Sequence, residues 1–428
     1  MKRRLAALEA KREPKRVSPS TRETRQVAAN LERTAHSRPV PKGLLIGGYL
    51  QGQFELNQLS EDQQLQGGEP LNQDRFSLRR GRLRLDRGWD YAAGTLELDA
   101  STTAGPRVGI RRAEASLLYR GTNPDNLPPL LMVTIGVTDL PFGYELMESA
   151  RVRAFMERSL ASLSLFPTEM DAGLKVSGAA GFLRYAVAIT NGEPLTPDAL
   201  PRDPNASKDF SGRFGFDVDP SERFGLSGGA SFATGKGFHP GRQATKDQVG
   251  WRDLNEDGIA TSDEFYGIPR QDASPSVNFG RWVLGVDLQL DLDVVPGLGK
   301  TKLYAEGYVA KNYDRGLFGA DPLASGSDQR EVGYYAALLQ RITDYGLIGF
   351  RAAYYDPNSD FLEQRQDQQL PRSQGILTLS PLIGAELPDR ARLLFQYDLV
   401  RDKLARDDRG VPADAKNNQF TARLQVDL

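Results

Sequence analysis

The stretch RWVLGVDLQLDLDVV, residues 281–295, limits the fold more than any other. Trp282, Leu284, Val286, Leu288, Leu290, Leu292 and Val294 alternate with Val283, Gly285, Asp287, Gln289, Asp291 and Asp293. On a helix the aspartates would scatter around the whole surface. On a strand, successive side chains point to opposite faces, so all three share one side. The alternation predicts a strand with one apolar and one polar face. From residue 44 onward similar segments recur, separated by Gly, Pro, Asn and Asp clusters. They predict about sixteen strands, near 44–55, 76–86, 90–99, 109–120, 130–138, 170–178, 181–191, 208–218, 222–234, 276–294, 300–312, 331–342, 345–356, 373–385, 390–401 and 418–428.

Two architectures bury one face of so many strands. A soluble sandwich or barrel turns the apolar face inward. A membrane barrel turns it outward to lipid and lines a lumen with the polar face. Three features favour the second. The polar faces carry Gly, Ser, Asp and Arg; the connections alternate between long (NGEPLTPDALPRDPNASKD) and short (DPSE); and Trp282, Tyr354, Tyr355 and Tyr397 stand at segment ends, where an interfacial girdle belongs. Hydrophobic content is only 39% and mean hydropathy −0.47, low for an enzyme with a thick core. No run approaches the roughly 18 apolar residues of a spanning helix. The final segment, QFTARLQVDL, alternates up to Leu428, as expected if the last strand closes a ring against the first. The fold class expected is therefore all-β: a transmembrane antiparallel barrel of about sixteen strands in a Gram-negative cell outer membrane.

Residues 1–42 differ in kind. They hold 12 Lys or Arg and 4 Asp or Glu, a net of +8, whereas the whole chain is −2. We read them as a basic N-terminal tail, disordered or the end of a coiled coil, ahead of a barrel over 43–428. The tail has no aromatic side chain to stack on bases, so nucleic acid is not an expected partner. It also lacks the apolar core of a signal peptide. The fragment RRLAALEAK reads like the end of a heptad stretch, which suggests further residues upstream.

The segment FSLRRGRLRLDR carries the first candidate chemistry. Arg80, Arg82 and Arg84 share one face; Gly81, Leu83 and Leu85 share the other. With the leucines in lipid, the arginines form a lumenal row spaced by about 6.8 Å. Guanidiniums along an aqueous path attract small anions and pass them on, and Arg112, Lys175 and Arg184 extend the row. Alternatively the same arginines pair with carboxylates such as Asp86 and Glu114 and brace the wall.

The arginine-rich early strand is followed by Gly136, Pro141-Phe142-Gly143, Phe155-Met156-Glu157-Arg158-Ser159, Gly173 and Gly178. In these features, between Phe76 and Gly178, the chain resembles the phosphate-selective porin O and P family. The resemblance implies a sixteen-stranded outer-membrane channel, often a homotrimer. It also implies a loop at roughly 142–168 that folds inward after the fifth strand and narrows the pore. Phosphate becomes one candidate solute, beside a general anion or nonspecific pore.

A further motif lies in a long connection at about 235–275. DLNEDGIATSDE places Asp253, Asn255, Asp257, Gly258, Ile259, Thr261 and Glu264 at positions 1, 3, 5, 6, 7, 9 and 12 of an EF-hand-like loop. Alternate oxygens, a glycine turn, a backbone carbonyl from Ile259 and a terminal glutamate suit calcium. The competing reading is an acidic surface turn. No helices clearly flank the motif, so a structural calcium-binding loop is expected rather than a sensor.

Zero cysteines remove disulfides, zinc–thiolate sites and thiol catalysis. His36 lies in the tail and His239 in the long loop, neither placed for a Ser-His-Asp triad. The sequence thus points away from an enzyme and toward a passive porin for small anions. The alternative is a non-conducting envelope structural or attachment barrel that offers its calcium loop to a partner.

Overall fold

The computed structural model describes residues 43–58, 74–121, 128–193, 203–221, 223–254, 258–293, 298–342, 344–365, 368–387, 390–402, 414 and 417–428. The basic tail therefore lies outside the described residues. Strands are β1 (Gly43–Asn57), β2 (Arg75–Gly88), β3 (Ala92–Ser101), β4 (Arg107–Tyr119), β5 (Leu131–Asp139), β6 (Met170–Ala180), β7 (Leu183–Thr190), β8 (Asp209–Ser221), β9 (Phe224–His239) and β10 (Gln248–Trp251). They continue as β11 (Phe265–Ile268), β12 (Val277–Leu292), β13 (Thr301–Lys311), β14 (Arg330–Arg341), β15 (Gly346–Asp356), β16 (Leu362–Arg365), β17 (Gln368–Pro371), β18 (Ile376–Leu387), β19 (Ala391–Asp402) and β20 (Gln419–Asp427). Sixteen of them close one antiparallel barrel in chain order; β10–β11 and β16–β17 form separate two-stranded hairpins.

The alternation read from the sequence sets which way each face looks. On β12, Leu284, Val286 and Leu288 are exposed on the outer wall, while Arg281, Val283, Gly285, Asp287 and Gln289 are buried on the inner one. Leu338, Ile348, Ile383, Leu393 and Leu424 are exposed in the same way. Each large apolar side chain moved from water into hydrocarbon contributes about 1.5–3 kcal/mol. A belt of them makes a bilayer the medium in which this barrel is stable.

Closure occurs where the last strand meets the first. Pairs run from Tyr49↔Asp427 to Asn57↔Gln419, and the Leu428 N–H donates to the Gly48 carbonyl at 2.9 Å. Gly43 pairs with Gly88, so β1 starts at the rim that carries the β2–β3 turn. The short connections between β6 and β7, β8 and β9, β14 and β15, and β18 and β19 share that rim. Long connections gather at the other, including 140–169 and 240–276.

One connection keeps strand geometry far beyond the wall. β9 pairs with β12 up to His239↔Val277. The same register continues through Arg242↔Ser274, the Thr245 N–H to Gln271 carbonyl bond, Gln248↔Ile268 and Trp251↔Phe265. It ends with the Arg252 N–H donating to the Glu264 carbonyl at 3.0 Å. No residue is gained or lost along the way. β8 pairs with β9 only as far as Thr234, and β13 with β12 only as far as Trp282. Beyond them the ribbon runs roughly 18 residues, up to about 60 Å if straight.

Candidate functional site

The connection between β5 and β6, residues 140–169, packs against the inner wall. It contains a short helix, α1 (Leu160–Leu165), capped by the Ser159 side chain. Phe142, Leu165 and Phe166 are fully buried against Ala233, Val283, Tyr308, Ala310, Tyr313 and Tyr355. Phe142 stacks on Tyr308 at 6.0 Å between centroids. Phe155 and Met156 join a second cluster with Tyr304, Tyr335 and Leu347. The apolar residues of the inner wall, Val283 among them, thus serve the loop.

The Pro141-Phe142-Gly143 motif has a local cause. Gly143 has φ +59°, and a Cβ there would sit 1.8 Å from Oε1 of Glu306 on β13. Three successive backbone N–H groups meet the wall: Gly143 donates to Ser231 Oγ at 2.9 Å, Tyr144 to Glu306 Oε1 at 3.0 Å and Glu145 to Glu306 Oε2 at 3.1 Å. Tyr335 adds its hydroxyl to Glu306 at 2.9 Å. A glycine is required because the carboxylate must come close to the turn.

The Met156-Glu157-Arg158-Ser159 motif holds the far part of the loop. The Met156 N–H donates to Gln396 Oε1 at 2.9 Å, and the Glu157 carbonyl accepts from Arg351 at 2.9 Å. Arg158 donates to the Ser162 and Phe166 carbonyls. Both the Ser159 N–H and hydroxyl donate to Glu145.

Of the six basic residues expected along an anion path, the structure gathers five on β2, β4 and β6. Arg80 pairs with Glu157 at 2.7 Å, Arg82 with Asp99 at 3.1 Å, and Arg84 with Asp86 at 2.6 Å and Glu97 at 3.3 Å. Arg112 pairs with Asp139 and with Glu114 at 3.3 Å; Lys175 lies 3.8 Å from Asp139 and 3.9 Å from Glu114. Arg184 stands apart. It donates to the Gly181 and Leu183 carbonyls at the short-turn rim and lies 3.6 Å from Asp217. The brace expected as an alternative is thus physically present at every one of these cations.

Sequence reasoning missed two further arginines on the same wall. β1 and β2 slip register so that Gln51 faces Arg80 and Gly52 faces Leu78, leaving Arg79 as an extra residue. β3 and β4 slip likewise, with Glu97 facing Arg112 and Leu98 facing Ile110, which leaves Arg111 extra. Each bulge turns two consecutive side chains inward. Arg79 bonds Glu157 and Arg111 bonds Glu97 and Glu169. Arg153 of the loop reaches Glu169 at 3.2 Å, and Arg423 of β20 reaches Glu157 at 2.9 Å. The signal was available: under strict alternation, one member of each Arg-Arg pair would face lipid, at a cost of about 2–4 kcal/mol at mid-bilayer.

The calcium motif caps the long ribbon, between β10 and β11, so strands rather than helices flank it. Asp253 Oδ2 accepts the Gly258 N–H at 2.7 Å, and Gly258 has φ +72°. Glu264 accepts the N–H groups of Thr261 at 2.9 Å and Leu254 at 3.0 Å and the Trp251 indole at 3.2 Å. Those donors, the Thr261 and Leu254 backbone groups first, pull its pKa down to about 2. Asn255 and Asp257 lie outside the described residues; Ile259 and Thr261 are described. Among the described residues no group of three His, Cys, Asp or Glu side chains is placed to hold a metal ion.

No family model and no curated protein matches the chain. Solved structures do. The outer-membrane channel DcaP of Acinetobacter baumannii is 12% identical with a TM-score of 0.53, the match covering 90% of this chain and 97% of that one. An anion-selective porin from Comamonas acidovorans is 12% identical, TM-score 0.52, covering 90% and 99%. OprB of Pseudomonas putida is 11% identical, TM-score 0.56, covering 90% and 94%. At these identities the likeness concerns the fold. This chain has the sixteen-stranded barrel of outer-membrane porins, and its apolar outer face places it in that membrane.

Proposed function

We propose that the protein is a passive outer-membrane porin for small anions, phosphate among the candidates. The observation that carries the reading is the convergence of Arg79, Arg80, Arg82, Arg84, Arg111 and Arg112 on one sector of the inner wall beside an inward-folded loop. Guanidiniums in a confined aqueous path lower the barrier for anions even when each has a carboxylate neighbour, because each carries five N–H donors, more than its carboxylate contacts take up. The arginine-rich β2 and the two loop motifs support kinship with the phosphate-selective porin O and P family. The Comamonas neighbour, described as anion-selective, agrees in kind. A homotrimer is proposed on the same resemblance and on a trimeric form of Vibrio cholerae OmpT among the neighbours.

Planar-bilayer recording tests the proposal. Stepwise openings with a reversal potential displaced toward the anion are expected, and Arg82→Ala and Arg84→Ala should each reduce that displacement. Selectivity equal to wild type in both variants removes these arginines from the path.

We further propose calcium at Asp253, Asn255, Asp257, the Ile259 carbonyl, Thr261 and Glu264, as a clip on the ribbon tip. The oxygen-only donor set and the turn at Gly258 support it. Calorimetric titration should give calcium-dependent heat in wild type and much less in Glu264→Gln.

The second reading, a non-conducting attachment barrel, draws on the ribbon itself. Val249, Trp251, Phe265 and Tyr266 are exposed along it, which suits a partner-binding arm. A folded barrel that gives no conductance would favour that reading.

A further inference from the structure

The Glu157 carboxylate receives an unusual number of donors. Arg79 grips it side-on, Nε to Oε1 at 2.8 Å and Nη2 to Oε2 at 3.0 Å. Arg80 grips it end-on, Nη1 to Oε1 at 3.2 Å and Nη2 to Oε2 at 2.7 Å. Arg423 adds Nη2 to Oε1 at 2.9 Å. Five charge-assisted bonds from three cations converge on two oxygens of one anion. Gln51 accepts from Arg80 at 3.2 Å, and Gln53 accepts from Arg423 at 2.5 and 3.0 Å. Both are neutral, so they hold the guanidiniums in place without cancelling their charge.

We propose that Arg79, Arg80 and Arg423 form a carboxylate-binding site in the channel, filled at rest by Glu157 as a tethered ligand. A permeating carboxylate takes the place of Glu157 as it passes. The inference rests on the reading of the barrel as an anion channel and names the class of anion and the residue that competes with it. Three features of the structure support it.

First, the exchanging groups face water. The side chains of Glu157 and Arg79 are 30% and 29% exposed, whereas those of Arg80 and Arg423 are 7% and 4%. A solute arrives at the front of the site while the rear stays fixed. Second, the loop does not depend on the Glu157 side chain. The backbone on either side is held separately by Gln396, Arg351 and the Ser159–Glu145 contact. The carboxylate can rotate away while the loop stays. Third, two forks on two oxygens suit a planar carboxylate; chloride offers one centre and cannot fill both. A tethered ligand acts at an effective concentration of the order of millimolar or above. Free carboxylate therefore competes only at high concentration while Glu157 is present.

The test uses the full chain in planar bilayers, as wild type, Glu157→Ala and the double variant Glu157→Ala/Arg79→Ala. The probe is acetate added to a chloride solution of fixed cation concentration, with phosphate added separately. Glu157→Ala should lower the acetate concentration for half-maximal reduction of chloride current by about tenfold, the shift expected when the effective concentration of the tethered carboxylate is about ten times the dissociation constant of acetate at the open site. The double variant should lose most of that gain. Equal acetate sensitivity in wild type and Glu157→Ala overturns the proposal, and so does a gain that survives the loss of Arg79. A gain for phosphate with none for acetate overturns the carboxylate assignment. Should Glu157→Ala fail to assemble, Glu157→Gln keeps the side-chain size and removes the charge, and the same shift is expected. The two readings fail separately. A wild type with no anion preference whose Glu157→Ala gains acetate block sinks the anion-channel reading and leaves the site. An anion-selective wild type whose Glu157→Ala gains nothing sinks the site alone.

Discussion

Gly143→Ala should release the inner loop while leaving the barrel closed. Two costs apply. A non-glycine residue at φ +59° is strained by about 1–2 kcal/mol. The new Cβ would also lie 1.8 Å from Glu306 Oε1, so the carboxylate must retreat from the loop. That breaks or stretches the Tyr144 and Glu145 N–H bonds at 3.0 and 3.1 Å. An intramolecular hydrogen bond contributes about 0.5–1.5 kcal/mol. The strain and the two bonds together should weaken loop attachment by roughly 2–5 kcal/mol, and each ~1.4 kcal/mol is tenfold in the detached fraction. Gly181 provides the control. It has φ +60° with nothing within 4 Å of a Cβ, so Gly181→Ala should show backbone strain alone. The assay is single-channel conductance together with heat-modifiable migration on gels. Gly143→Ala should raise conductance and current noise with migration unchanged, and Gly181→Ala should leave both as in wild type. Equal conductance in Gly143→Ala, Gly181→Ala and wild type would refute the reasoning that Glu306 anchors the loop.

Other outcomes follow from the same contacts. Val286→Arg puts a charge on the lipid face and should destabilise the barrel by about 2–4 kcal/mol in urea titrations in vesicles, if the residue lies near mid-bilayer; an unchanged midpoint would argue against an outward apolar face. At the ribbon tip, Glu264 is depressed to about 2 in the folded state. A depressed carboxylate stabilises above its unfolded pKa, near 4.5, and that contribution is lost as pH falls toward the folded value. Emission from Trp251, in a Trp89→Phe/Trp282→Phe background, should hold steady above about pH 5 and change between about pH 4.5 and 2. A transition centred near neutral pH would contradict the Glu264–indole contact.

The barrel was legible because lipid and water impose opposite demands on alternate side chains. All sixteen wall segments were therefore marked by sequence, down to the β20 face of Phe420, Ala422, Leu424, Val426 and Leu428. The short hairpins β10–β11 and β16–β17 were not; on β10–β11, Val249, Trp251, Phe265 and Tyr266 are exposed, so no buried face enforces alternation there. The bulges escaped for a different reason. A run of regular alternation hides one inserted residue, although an Arg-Arg pair inside a spanning strand is hard to place in any other way. The loop motifs were visible as motifs, yet their partners were not. Glu306 meets the Tyr144 backbone across 162 positions, and Arg423 meets Glu157 across 266. Only closure of the ring brings these groups together, so Arg80 could be listed from sequence while Arg423 and the loop carboxylate Glu157 that both of them bond could not.

The most direct measurement is ionic current through the refolded full chain in a planar bilayer, with chloride on both sides at a tenfold gradient. An outward-greasy barrel with water inside predicts discrete current steps and a zero-current voltage on the anion side. A correctly migrating, lipid-inserted barrel that carries no current would contradict it.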